Sequence, residues 1–200
     1  MKGPLFFAKI LLFGEYGIIK DSMGLSIPYN FYHGSLKIPY KNNTSIKESH
    51  QKLLDFSNYL KTLDADLISF NWKKFNFDLE RKIYFDSSIP QGYGVGSSGA
   101  LVAAIYYQYA LRKITILENL TKEKLLYLKN IFSLMESFFH GKSSGLDPLN
   151  SYLCLPILIN SKKHIETIGI PPQNTNGKGA VFLIDSGVAS KTATMISIFM

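Results

Sequence analysis

Between Ile89 and Leu111 the sequence IPQGYGVGSSGALVAAIYYQYAL runs a glycine-dense loop directly into an almost unbroken apolar helix. Gly92, Gly94, Gly96 and Gly99 remove side chains where a backbone must approach a ligand closely or take positive φ, and Ser97 and Ser98 add hydroxyls at the helix start. Free amides there, with the positive end of the helix dipole behind them, favour phosphate. Gly94, Gly96 and Gly99 also read G-x-G-x-x-G, but a dinucleotide fingerprint follows a continuously apolar strand, and here KIYFDSSIP alternates polar residues and places Pro90 before the loop. A Walker loop is excluded because this loop does not itself end in Gly-Lys-Ser or Gly-Lys-Thr. The structural alternative is a tight turn into a buried, Ala-rich helix.

Three charged residues stand where charge needs a reason. Glu136 has Phe132 four residues before it and Phe139 three after, on one helical face, so it is either an edge residue reaching solvent or a metal ligand inside a cleft. Lys9 interrupts the apolar run LFFAKILLF, where a lysine can snorkel from an edge. Asp147 precedes Pro148, the position of an ordinary cap or turn residue. No His and Cys metal cluster and no Ser-His-Asp arrangement competes with these three.

The run Pro90–Ala100 resembles the second motif of the GHMP kinases, the small-molecule kinases named for galactose, homoserine, mevalonate and phosphomevalonate. Residues 8–16, AKILLFGEY, resemble the family's first motif, and residues 136–147, ESFFHGKSSGLD, are similar to the segment most typical of mevalonate kinases. One motif is weak evidence; three in family order, spread over nearly the whole chain, are strong. The resemblance implies an α+β fold: a GHMP kinase N-terminal domain, ribosomal-protein-like, over residues 1–170. Residues 171–200 would then be a linker and the first elements of a truncated, ferredoxin-like C-terminal domain, since the family's closing glycine-rich motif is not found before Met200.

The same resemblance implies ATP and Mg²⁺ as cofactors. Gly92, Gly94, Val95, Gly96, Ser97, Ser98 and Gly99 would hold the nucleotide, and Ser98 and Glu136 the metal. Asp147 would act as general base, with Lys9 facing the substrate hydroxyl and keeping Asp147 ionised. Glu15, Tyr16, Ser144 and Thr192 would contact the substrate, although Tyr16 replaces the usual histidine and Ser190 stands where an arginine is common. His140 is expected to support its turn. The implied reaction is phosphorylation of mevalonate to 5-phosphomevalonate, feeding isoprenoid synthesis, with phosphomevalonate kinase the nearest rival. Galactokinase is disfavoured because its first motif and Met-Asp-Gln signature are missing, and homoserine kinase lacks the Asp-bearing turn. Two readings of other classes stay open: a noncatalytic binding protein of this fold, and an RNA-binding domain.

The elements that must position these residues follow from composition and periodicity. With 200 residues, 46% hydrophobic, the chain can bury a full core. Its charge of +7 suits an anionic ligand, but the lysines are dispersed over apparently helical outer faces, so the expected partners are a small molecule and ATP, not nucleic acid or membrane. A homodimer is compatible with this. Cys154 is the only cysteine, in the apolar run SYLCLPILI, where a buried small hydrophobe is expected. With no signal peptide and no run near the ~20 apolar residues of a membrane span, a cytoplasmic location is expected.

In chain order, residues 5–13 read as a strand, 21–40 as short strands and turns, and 46–63 as an amphipathic helix. Residues 70–85 alternate, with Phe75, Phe77 and Leu79 opposite Asn76, Asp78 and Glu80, and predict a half-buried antiparallel strand. Thr121 caps a helix reaching about His140, and a short helix follows from Asp147. Strands are predicted over 152–159, 164–170 and 180–186, with a Pro/Gly-rich break at PPQNTNGKG between the last two.

Overall fold

The computed structural model describes residues 3–15, 17–40, 44–117, 119–161, 164–169, 183–185, 187–189 and 198–199. Among the described residues, five α-helices pack with one antiparallel sheet, an α+β arrangement. Strand β1 (Phe6–Phe13) pairs with the long β2 (Gly24–Lys37), which also pairs with β3 (Tyr84–Ser87) near one end and with β4 (Ile157–Ser161) near the other; β5 (His164–Thr167) extends the sheet from β4. Residues 21–40 therefore give one 14-residue strand in place of the expected short pieces. Its irregularity is in the register: Phe7 faces His33 but Ala8 faces Tyr29, so Asn30, Phe31 and Tyr32 are extra residues on β2.

Helix α1 (Thr44–Leu60) and helix α4 (Lys122–His140) fall where their apolar periodicity puts them. Thr121 caps α4, its hydroxyl oxygen accepting from the Lys124 amide at 3.4 Å, with Glu123 in the first turn.

The predicted strand over 70–85 is overturned in its first half. Residues Trp72–Glu80 form helix α2, capped by Asn71, whose side chain accepts from the Lys74 amide at 3.0 Å. The buried residues are Phe75, Asp78 and Leu79, spaced i, i+3, i+4, while Phe77 is 56% exposed. Alternation over so few residues fits either period, and the Asn cap decides. Asp78 is itself buried, accepting from the Tyr109 hydroxyl at 3.0 Å, which ties α2 to helix α3 (Ser97–Tyr109).

Helix α3 is apolar on every side, and it is the centre of the core: Ala100, Val102, Ala103, Ala104 and Ile105 are fully buried. It packs on the sheet through β1 and β2 and on α4 and helix α5 (Leu146–Leu153). Because α5 extends to Leu153, the strand predicted from 152 begins only at Ile157. Cys154 ends α5 with a positive φ of 52° and is half-buried. The break expected at 171–179 lies outside the described residues; of the strand predicted over 180–186 only 183–185 are described, and they form no strand.

Candidate active site

Three sequence-distant pieces converge at the N-terminus of α3. Gly92, Gly94 and Gly96 have φ of 83°, 69° and 82°, so alternate residues of the loop lie in the left-handed region. That alternation is the backbone pattern of an anion-binding concavity, and it leads into the free amides of Ser97, Ser98 and Gly99 at the helix start. Gly96 is the N-cap and has no side chain to occupy those amides. Strand β1 holds the loop in place, the Lys9 amide donating to the Val95 carbonyl at 3.0 Å.

Lys9 does not snorkel to solvent. It is only 7% exposed, and its ammonium stands 3.1 Å from Asp147 Oδ1. The pair lies against Gly96, where an added Cβ would meet the Lys9 stem at 3.0 Å and Asp147 Oδ2 at 3.7 Å. Asp147 occupies the first turn of α5, which packs so tightly on α3 that a Cβ on Gly99 would meet the Asp147 carbonyl carbon at 2.7 Å and Pro148 N at 2.8 Å.

Glu136 is the buried alternative of the two the sequence allowed, 3% exposed within α4. Its Oε1 accepts from Ser98 Oγ at 3.0 Å and its Oε2 from Ser143 Oγ at 2.5 Å. His140, at the end of α4, also reaches the glycine loop, its ring Nε2 standing 2.9 Å from Ser98 Oγ. Ser98 Oγ therefore lies between the Glu136 carboxyl and the His140 ring. Ser143 and this reach of His140 were missed in the sequence; the only signal was a serine in a turn flanked by chemistry.

Burial, and then the nearby Asp147 carboxylate, push the Glu136 carboxyl up from 4.5 to about 7, against the opposing Ser143, Ser98 and Lys9. A folded-state value above the unfolded one means a contribution fully present below about pH 4.5 and lost as pH rises through about 7. The free protein is expected to lose stability across that window, and Glu136→Gln, neutral throughout, to flatten the loss. Melting temperatures measured through the window test this; an equal slope in the variant would assign the effect to other groups.

Two carboxylates facing one ammonium leave the site beside the glycine loop short of positive charge. Ser98 and Glu136 fit a hard cation: both donors are oxygens, and their 3.0 Å separation matches the roughly 2.9 Å between neighbouring ligands of an octahedral ion such as Mg²⁺. Among the described residues no group of three or more His, Cys, Asp or Glu gathers as a metal cluster.

The remaining expected residues are placed less centrally. Ser144 stands just before the Gly145 N-cap of α5, its hydroxyl accepting from the Leu146 amide at 3.3 Å. Glu15 is exposed in the turn after β1, with no described contact to Lys9 or Asp147. Tyr16, Ser190 and Thr192 lie outside the described residues. Ala189 approaches the glycine loop, its Cβ 3.0 Å from where a Gly92 Cβ would stand.

Residues 58–154 match the family model of the GHMP kinases N terminal domain. The chain carries a GHMP kinase N-terminal domain. The match spans α3, α4 and α5 and with them Ser98, Glu136, His140 and Asp147, while Lys9 reaches this GHMP domain from β1. GHMP kinases use ATP. The fold is similar to mevalonate kinase from methicillin-resistant Staphylococcus aureus, with 19% identity, 82% of this chain and 54% of that chain covered, and a TM-score of 0.45. It is also similar to Methanococcus jannaschii mevalonate kinase (17% identity, 83% and 55% covered, TM-score 0.48). A third likeness is to L. major mevalonate kinase solved in complex with R-mevalonate (16%, 79% and 48%, TM-score 0.42). The chain spans about half the length of these solved structures. No curated protein sequence matches it. No helix among the described residues is long and apolar enough to cross a membrane.

Proposed function

We propose that the chain transfers the γ-phosphoryl group of ATP to the alcohol of a small molecule, and that the alcohol is mevalonate. The observation that carries the kinase reading is the Lys9–Asp147 pair, 3.1 Å apart and seated against Gly96 at the mouth of an anion-binding helix terminus. An acid-base pair beside a phosphate cradle is what alcohol phosphorylation requires. The choice of mevalonate rests on the segment Glu136–Asp147 and its likeness to that of mevalonate kinases. On this reading residues 1–170 form the ATP- and substrate-binding domain, and the setting is a cytoplasmic one.

In the reaction, the glycine-loop amides hold the nucleotide phosphates and so fix the γ-phosphorus in front of the acceptor. Asp147 takes the hydroxyl proton as the alcohol oxygen bonds to phosphorus; the bond from phosphorus to the bridging oxygen breaks and ADP leaves with its electron pair. Lys9 stabilises the developing alkoxide with a charge already in position. Ser98 and Glu136 would hold Mg²⁺, which when bound neutralises phosphate charge.

A panel following ATP consumption with mevalonate, phosphomevalonate, homoserine and galactose tests the proposal. Turnover with mevalonate above the other three is expected, and no turnover with any alcohol despite ATP binding would favour a noncatalytic protein of this fold. Because Ser98 and Glu136 share one proposed cation, Ser98→Ala and Glu136→Gln should be strongly less than additive in activity. Losses that simply multiply would separate the two residues.

A further inference from the structure

Ser143 is tied down at three points, two of which reach outside its turn to α4. Its carbonyl accepts from Ser133 Oγ at 2.6 Å, fixing it to α4 one turn before Glu136. Its hydroxyl oxygen accepts from the Gly145 amide at 3.0 Å, so its hydrogen must point away from the turn. That hydrogen goes to Glu136 Oε2. The turn is packed against the helix: a Cβ on Gly145, whose φ is 74°, would stand 2.1 Å from the Lys129 carbonyl oxygen and 2.6 Å from Ser133 N, so its backbone lies directly on α4.

The consequence is rotational. A carboxylate turns about its last side-chain bond unless each oxygen has its own donor. Here Ser143 takes Oε2 and leaves Oε1 directed at Ser98. We propose that Ser143 is a positioning residue for a divalent cation held by Ser98 and Glu136, orienting the Glu136 carboxylate toward the glycine-loop helix. The proposal rests on the metal role given above to Ser98 and Glu136 and adds to it a residue outside the glycine loop. Donors to ligating carboxylates matter for binding: their loss typically weakens metal affinity about 10–100-fold.

The test uses manganese(II) alone, titrated by electron paramagnetic resonance into the parent chain and the variants Ser143→Ala, Ser143→Thr and Ser143→Val. Ala and Val should weaken manganese binding by about 10–100-fold, and Thr, which restores the hydroxyl, should keep the parent affinity. In a Glu136→Gln background the Ser143→Ala change should cost nothing further, which a purely structural role for Ser143 would not produce. Binding by Ser143→Ala equal to the parent, or a loss that persists in the Glu136→Gln background, overturns the proposal. Should the Ala chain fail to fold, the Thr and Val pair, close in volume and differing in the hydroxyl, decides it. Manganese affinity equal in the parent and Glu136→Gln would remove the metal role of Glu136 itself. Affinity lost in Glu136→Gln but kept in Ser143→Ala and Ser143→Val removes only the role of Ser143.

Discussion

Asp147→Asn is expected to lower phosphoryl transfer by about 10²–10⁴-fold, the usual contribution of a positioned general base, while ATP affinity stays near that of the parent. The asparagine keeps the shape of the first turn of α5 and the contact with Gly99, so the geometry of the phosphate cradle survives. What is lost is the proton acceptor beside Lys9. Lys9, 7% exposed, is also left without its carboxylate, which should show as a lower melting temperature, moderated by water reaching the Asp147 side chain, 34% exposed. Single-turnover rates at saturating ATP and alcohol, with separate ATP titration, isolate the chemical loss. A variant that turned over at the parent rate would place the base elsewhere. Lys9→Met should show a comparable loss, and the double variant little more than either alone, because residues acting as a unit are not additive.

Gly99→Ala should damage both packing and turnover, because its added methyl meets the backbone that carries Asp147. The added carbon would stand 2.7–2.9 Å from the backbone and Cβ of Asp147 and the nitrogen of Pro148, none of which can swing aside like a side-chain tip. Helix α5 must then move off α3. Overpacking of this kind costs about 1–3 kcal/mol, and the displaced residue is the proposed base, so a shift of about 1 Å should lower turnover by some 10²-fold on its own. Calorimetry reads the first effect and the rate of the still-folded variant the second. Normal turnover in a destabilised Gly99→Ala chain would mean that α5 gives way without moving Asp147.

Helices α1 and α4 were legible because 17 and 19 residues span enough turns for a 3.6-residue period to declare itself. The nine residues of α2 were too few: Phe75, Phe77 and Leu79 satisfy a two-residue period, and the fact that Phe77 faces solvent is fixed by tertiary packing. The glycine loop was readable from composition, since no other residue tolerates alternate left-handed φ so cheaply. Lys9, Glu136 and Asp147 were named from motif resemblance, because 138 residues separate the first from the last and periodicity says nothing about which strand meets which turn. Ser143 was invisible for a different reason. A turn serine has no periodic signature, and its value lies in the direction of one hydrogen.

Nine of the thirteen residues of α3 are buried, and its first residues are the proposed phosphate site. The helix therefore has no local way to open: its amides from Ala100 to Tyr106 should exchange with solvent deuterium only when the whole domain unfolds. A nucleotide bound at the N-terminus is then coupled to global stability, not to the ordering of a loop, and its affinity appears in full as a rise in the unfolding free energy of the domain. Slow exchange in α3 and a ligand-induced rise in melting temperature would thus be two measures of one quantity, available without any turnover and before the acceptor alcohol is known.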